Sequence, residues 1–324
     1  IRAGRSDLVL AGGVDALSRA PLLFSDAMVM WLSRWYAAKS FGQRAALLAQ
    51  FRPGYLAPVI ALMKGLTDPI CGLLMGQTAE NLAHRFGITR QQMDAYSAGS
   101  HAKVLAAQKA GHFADELVAL YDKAGKVYAE DDGARADSTP ENLAKLRPFF
   151  DRENGTITAG NACPVTDGAA ALILMDEAKA KAEGREILGS IAGYAFSGCE
   201  PKRMGMGPIF STAKVLDALG LPLQEIDLVE LNEAFSAQVI ANQRAFASKE
   251  YCQEKLGRSQ ALGEIKDDIL NVNGGAVALG HPVGTTGIRL IVTLLKEMKR
   301  RGKKRGLATL CIGGGQGAAF VLER

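Results

Sequence analysis

From residue 187 to residue 322 the chain alternates short apolar runs with amphipathic ones, and this alternation narrows the fold more than any other feature. Strands are expected at 187–196, 226–231, 269–272, 307–312 and 318–322, and helices at 209–219, 234–246 and 286–301. Alternating strands and helices imply an α/β fold with a mostly parallel sheet covered on both faces. A chain of 324 residues can bury a large core in two or more lobes.

The first half is less regular. Residues 1–6 read as the end of a helix, and 7–13 as a short strand ending in Gly-Gly, buried over 7–11. Residues 18–21 then leave that layer. The clearest helix is 89–111, where Thr89 with Gln92 makes a capping-box pattern and Gly111 stands as the C-terminal cap. Residues 123–139 read as a polar loop or hairpin, 141–146 as a short helix, and 156–168 as a turn-rich loop. A buried strand at 169–175 and a helix at 177–184 follow, and 251–266 is a charged insertion without a motif.

Residues 27–67 stand apart. They carry Arg34, Lys39, Arg44, Arg52 and Lys64 and no acidic residue, together with both tryptophans, Trp31 and Trp35. Pro53 and Gly54 divide this stretch into two helical arms, the second running over 56–75. A basic, aromatic-rich amphipathic hairpin suits contact with anionic lipid or with a partner subunit. A lid packed on its own fold is the alternative.

Several function classes fall away. A net charge of +4 does not imply nucleic acid. The five cysteines include no CxxC pair, and their odd number fits a reducing compartment. No charge-free apolar run reaches the roughly 18 residues a membrane span needs. His84 and His101 lack ligand-spaced partners and read as packed or exposed side chains on helical surfaces, so no metal site is expected. No GK[ST] follows the glycine-rich turns, which argues against nucleotide hydrolysis.

The chemistry gathers late in the chain. The stretch 270–287, LNVNGGAVALGHPVGTTG, carries His281 on a glycine-rich turn, and 307–320, LATLCIGGGQGAAF, carries Cys311 on another. The segment 228–238, LVELNEAFSAQ, places Asn232 and Glu233 just past an apolar strand. Strand ends that carry Asn, His and Cys onto loops suit an α/β active site with acid–base and thiol chemistry.

NEAF, GHP and CIGGGQG, in that order, resemble the thiolase family. AGGVDALSRAP, MGQTAENLA, TAGNACPVTDGAAALIL and MGMGP extend the resemblance over essentially the whole chain. It implies two similar βαβαβαββ halves, the first incomplete here, with a loop domain inserted in the first. Residues 1–20 and 166–185 would belong to the N-terminal half, 21–165 to the inserted loop domain with the basic hairpin at 27–75, and 186–324 to the C-terminal half.

The resemblance also assigns roles. His281 is the activating base and an oxyanion donor, and Cys311 is the second acid/base. Asn232 holds a water at the same oxyanion site, the Gly313 N–H serves the other, and Glu233 orients the network. Met75, Met204, Phe150, Ala159 and Phe235 fall at pocket positions, and Arg135 falls where a basic residue meets the nucleotide end of coenzyme A. Cys163 stands where many members have Ser near the pantetheine, which removes a strong hydroxyl donor and acceptor.

The implied activity is that of a 3-ketoacyl-CoA thiolase of fatty-acid β-oxidation, with coenzyme A as substrate and no permanently bound cofactor. The alternatives are an acetoacetyl-CoA thiolase working in condensation, or a thiolase-like scaffold without catalysis. KSFGQRAALLAQFRPGYLAPV (39–59) is similar to the insertion in thiolase subunits of trifunctional β-oxidation enzymes, although that subgroup commonly has His where Asn232 stands. Expected partners are acyl-CoA, a second copy in a homodimer, a hydratase/dehydrogenase subunit, and a membrane surface through 27–75. The expected location is cytoplasmic and peripheral to the membrane. The family's nucleophilic cysteine precedes the strand matched by 7–13, so the chain is expected to be the remainder of a longer one, without thiolysis of its own.

Overall fold

Strand β1 (Leu8–Ala16) opens the fold in the computed structural model, which describes all 324 residues. Residues 17–67 then form a unit of their own, and 1–16 with 68–324 form the other.

The smaller unit holds β2 (Leu22–Leu23), α1 (Asp26–Ala37), α2 (Phe41–Ala49), β3 (Val59–Ile60) and α3 (Ala61–Gly65). The expected first arm is two helices, because Ser40 starts a new one: its hydroxyl accepts from the Gln43 N–H, and the Gln43 amide oxygen accepts from the Ser40 N–H. The expected second arm is not a helix over 56–75. Pro58, Gly65 and Pro69 interrupt it, and only the short α3 forms. Aromatic rings hold this unit together. Trp31 stacks on Trp35 at 5.3 Å, meets Phe51 edge-on at 5.1 Å, and donates its Nε1–H to the Leu47 carbonyl at 2.9 Å. Such ring pairs add roughly 0.5–1.5 kcal/mol each beyond their buried area.

The larger unit continues with α4 (Met75–Arg85), α5 (Arg90–Lys109), β4 (Leu120–Tyr121), β5 (Val127–Tyr128), α6 (Pro140–Leu143), β6 (Asp167–Met175) and α7 (Glu177–Ala182). It ends with β7 (Ser190–Gly198), α8 (Gly207–Leu219), β8 (Leu228–Leu231), α9 (Ser236–Ala247), α10 (Lys249–Leu256), α11 (Ala276–Leu279), α12 (Val283–Arg301), β9 (Arg305–Ile312) and β10 (Gln316–Glu323). The helix expected at 89–111 is α5, with its capping box formed and Gly111 at a φ of 72°. Residues 1–6 are turns rather than a helix end, and of the loop or hairpin expected over 123–139 a hairpin forms at 120–128 and the rest is loop.

The main sheet runs β7–β10–β9–β8. Only β8 and β9 are parallel, which corrects the expectation of a mostly parallel sheet. The reason is local: β9 and β10 are joined by a tight turn, and such a turn joins only antiparallel strands. The expected strand at 269–272 reduces to one bridge between Val229 and Leu270.

Two layers close on this sheet. On one face Leu228, Ala308 and Leu322 pack with Leu290, Leu294 and Met298 of α12. On the other, Val229, Leu231, Leu307 and Val321 pack with Ile209 and Leu216 of α8 and with Ala237 and Val239 of α9. Each fully buried Val, Leu, Ile or Met among them stabilises by roughly 1.5–3 kcal/mol. Coverage is incomplete over β7, where Tyr194 and Phe196 stay exposed and stack with Phe320 among themselves.

A second, two-stranded ribbon pairs β1 antiparallel with β6 and lies against α12. Its strands are half-exposed, not buried as their apolar sequence implies. Leu8, Leu10, Val14 and Ile173 face outward, because α12 covers only the opposite face.

Candidate active site

Strand β8 ends at Leu231, and the next two residues carry the first polar groups. The Asn232 N–H donates to the Thr309 carbonyl of β9 at 2.9 Å, so the sheet itself fixes this side chain. The Asn232 Nδ2 lies 3.3 Å from His281 Nε2. Its Oδ1 is buried and has no partner within the chain.

Glu233 is held by four donors. Tyr96 Oη (2.8 Å) and Asn271 Nδ2 (2.9 Å) reach one carboxylate oxygen, and Ser100 Oγ (2.7 Å) and the Val277 N–H (3.2 Å) reach the other. A buried carboxylate needs such donors to offset its lost hydration. This one ties β8 to α5 and to the 271–277 loop. Asn271 is the only non-glycine residue with positive φ, at 43°, a region Asn tolerates better than most. From there its side chain bridges both the N–H and the carbonyl of Leu231.

The 271–277 loop leads to His281, immediately before α12. The ribbon clamps this helix start. Asp15 of β1 accepts from the Gly284 N–H, and Thr285 Oγ1 lies 3.1 Å and 2.9 Å from the carbonyls of Gly13 and Gly168. Gly13 is required there, since a Cβ would stand 1.8 Å from the Gly284 carbonyl oxygen. His281 Nδ1 lies 2.6 Å from Thr286 Oγ1. Burial pushes the imidazole down to about 4, the Arg289 guanidinium adds to this, and Asp15 opposes it. The ring is therefore neutral at physiological pH, as a base must be.

Cys311 is the penultimate residue of β9, buried at the turn into β10. Burial pushes its thiol up to about 12, with Cys163 and Cys199 acting in the same direction. It is a proton-carrying thiol at rest, suited to acid–base work rather than to a standing thiolate. The turn is pinned by Asp68, whose carboxylate accepts from the Gly314 N–H (2.8 Å) and from the N–H groups of Ile70 and Cys71. Burial pushes Asp68 up, but these donors outweigh it and hold the carboxyl below its usual range.

The pocket residues divide. Met75 borders the turn, its Sδ 3.7 Å from where a Cβ on Gly313 would lie. The Phe150 ring lies over Gly76 and meets Phe235 edge-on at 6.1 Å, making an apolar wall next to the Asn232–Glu233 segment. The Cys163 N–H donates to the Ala234 carbonyl, and burial pushes its thiol up to about 12. Met204 is buried, and its carbonyl lies 3.7 Å from Cys199 Sγ. Ala159 and Arg135 lie outside this wall, exposed. The Arg135 N–H donates to His101 Nδ1 at 3.1 Å. His101, on α5, is buried against that loop, the packed one of its two expected settings.

Thr286, Tyr96, Ser100, Asn271, Asp15 and Asp68 carry the site and were not singled out from sequence. The Asn that stands before the glycine pair is Asn273, so Asn271 itself carried no such local signal.

Comparison with known proteins finds relatives of both sequence and fold. The family described as "Thiolase, N-terminal domain" matches residues 1–178, and "Thiolase, C-terminal domain" matches 185–324. The 3-ketoacyl-CoA thiolase of Pseudoalteromonas translucida (strain TAC 125) is 44% identical over 326 residues, covering 100% of this chain and 74% of the relative. The crystal structure of the Bacillus anthracis acetyl-CoA acetyltransferase superposes with a TM-score of 0.82 at 37% identity, covering 100% of this chain and 73% of that one. Human mitochondrial 3-ketoacyl-CoA thiolase in complex with CoA superposes at 0.81 and 36%, covering 98% and 71%.

Proposed function

Because the chain belongs to the thiolase family, we propose that it serves as a 3-ketoacyl-CoA thiolase, an acyltransferase that cleaves 3-ketoacyl-CoA with CoA into acetyl-CoA and a shortened acyl-CoA. The single observation that carries the site assignment is the convergence of Asn232 and His281 at 3.3 Å, at the end of the strand paired with the one that carries Cys311, within a 3-ketoacyl-CoA thiolase-like sequence.

His281 Nε2 takes the proton of an attacking thiol, because the neutral thiol is a poor nucleophile. It then presents an N–H to the thioester oxygen as charge develops there. Asn232 supports the same oxygen, directly or through a water that its free Oδ1 holds. Cys311 moves the proton at the α carbon of the departing or arriving acetyl unit, and the Gly313 N–H faces the second developing oxyanion. Glu233 touches no substrate in this reading and positions the loop that carries His281. Coenzyme A binds as substrate, its pantetheine along Met75, Phe150, Phe235 and Met204, with Cys163 and Ala159 at the edge and Arg135 toward the nucleotide end. The domain division is 1–20 with 166–185, 21–165, and 186–324.

The wider assembly is a homodimer that docks a hydratase/dehydrogenase subunit, located in the cytoplasm with peripheral membrane contact through 27–75. Support comes from the five cations and the lack of acidic residues over 27–67, and from the exposed Met30, Tyr36 and Phe41.

A second reading, acetoacetyl-CoA condensation, is favoured by the Bacillus anthracis likeness. The assay uses the protein expressed from its own gene. Thiolysis of long-chain and four-carbon 3-ketoacyl-CoA is compared. The β-oxidation assignment predicts a higher kcat/KM on the long substrate. A long substrate no better than the four-carbon one overturns it in favour of condensation.

A further inference from the structure

We infer that Thr286 fixes His281 as the Nδ1–H tautomer and thereby makes Nε2 the basic nitrogen of the site. The inference rests on the thiolase reading for its catalytic consequence but not for its geometry.

Thr286 is buried in the first turn of α12, five residues after His281. Its Oγ1 lies 2.6 Å from His281 Nδ1 and 2.9 Å from the Pro282 carbonyl oxygen. The Pro282 carbonyl, which also accepts the Thr285 and Thr286 N–H groups, takes the one hydroxyl proton, and a hydroxyl lone pair then faces Nδ1. Nδ1 must then carry the hydrogen. The other neighbour makes the same demand independently. Asn232 Nδ2, 3.3 Å from Nε2, is an amide nitrogen that can only donate, so Nε2 presents its lone pair.

This arrangement has a consequence at the moment of reaction. When a thiol gives its proton to Nε2, the products are a thiolate and an imidazolium, with no other atom exchanged. Nε2–H and Asn232 Nδ2–H are then both donors and can no longer bond to each other. Both are released toward an oxygen that is gaining negative charge. Thr286 is a positioning residue: it sets which nitrogen moves the proton while touching no substrate.

The test combines nitrogen-15 NMR of the histidine ring nitrogens at neutral pH with thiolysis kinetics on wild type, Thr286→Val and Thr286→Ser. Wild type should show a protonated Nδ1 and an unprotonated Nε2. Thr286→Val, which keeps the shape and removes the hydroxyl, should mix the tautomers and lower kcat roughly 10- to 100-fold with KM changed less than about twofold. Thr286→Ser should restore both readouts. A wild-type Nε2–H tautomer overturns the inference, as does a Thr286→Val enzyme with wild-type kcat and an unmixed tautomer. The expected tautomer in a wild type without thiolysis supports the Thr286 assignment and sinks the thiolase reading instead, so the two failures are distinguishable.

Discussion

His281 works because its surroundings refuse it a proton at rest. Burial holds the imidazole at about 4 in the fold, whereas an unfolded chain leaves a histidine at about 6.5. Between those values the unfolded state binds the proton first. The contribution to stability is therefore complete above about pH 6.5 and is lost as pH falls toward 4. The difference of pKa corresponds to at most about 3 kcal/mol, and less in practice because the ring keeps some contact with solvent. Denaturation of wild type and His281→Gln from pH 7 to pH 4 should show wild-type stability declining more steeply than the variant's. Parallel curves would mean that the ring is not held neutral by the fold. Asn232, His281 and Cys311 were legible because each stands as a polar residue at the end of an apolar run or on a glycine-rich turn. Their supports were not. Ser100 reaches Glu233 across 133 residues of sequence, and no local pattern encodes that meeting.

At the scale of elements, α12 is the piece that the site depends on. It packs on β8 and β9 with one side, lies against the β1–β6 ribbon with another, and carries His281 just before its first turn. Gly13 is where ribbon and helix touch most closely. Gly13→Ala should force the start of α12 away from β1, lowering stability by roughly 1–3 kcal/mol and lowering turnover more than substrate affinity. Thermal denaturation alongside kcat and KM checks this, and unchanged kcat with unchanged melting would refute the clamp. Elements with a full local code were read correctly. Helix α5 has a capping box, a long register and a terminal glycine, and it forms where expected. The arm over 56–75 misled because its apolar content suggested a helix while its prolines and glycines forbade one. The strands at 7–11 and 169–175 read as buried because apolar residues alone cannot tell one covered face from two.

For the whole molecule, the distribution of charge matters more than its small sum. The chain carries +4 in total, yet residues 27–67 hold five lysines and arginines with no acid. Charge reversal at Arg34, Lys39, Arg44 and Arg52 should abolish co-sedimentation with anionic liposomes at low salt, and added salt should weaken wild-type binding. Binding that survives the reversal would show that these four cations do not carry the membrane contact. The α/β class was legible from alternation, and the family from ordered motifs. The strand directions were not, because a tight turn between β9 and β10 overrides what alternation implies.

The central claim is that Asn232, His281 and Cys311 form one acyl-transfer centre, and its most direct test is 3-ketoacyl-CoA thiolysis by wild type, His281→Ala and Cys311→Ala, with acylated protein followed by intact mass. Wild type should turn over, Cys311→Ala should lose turnover while still accumulating some acylated protein, and His281→Ala should lose both. Normal turnover by Cys311→Ala, or acylation undiminished in His281→Ala, would contradict the account.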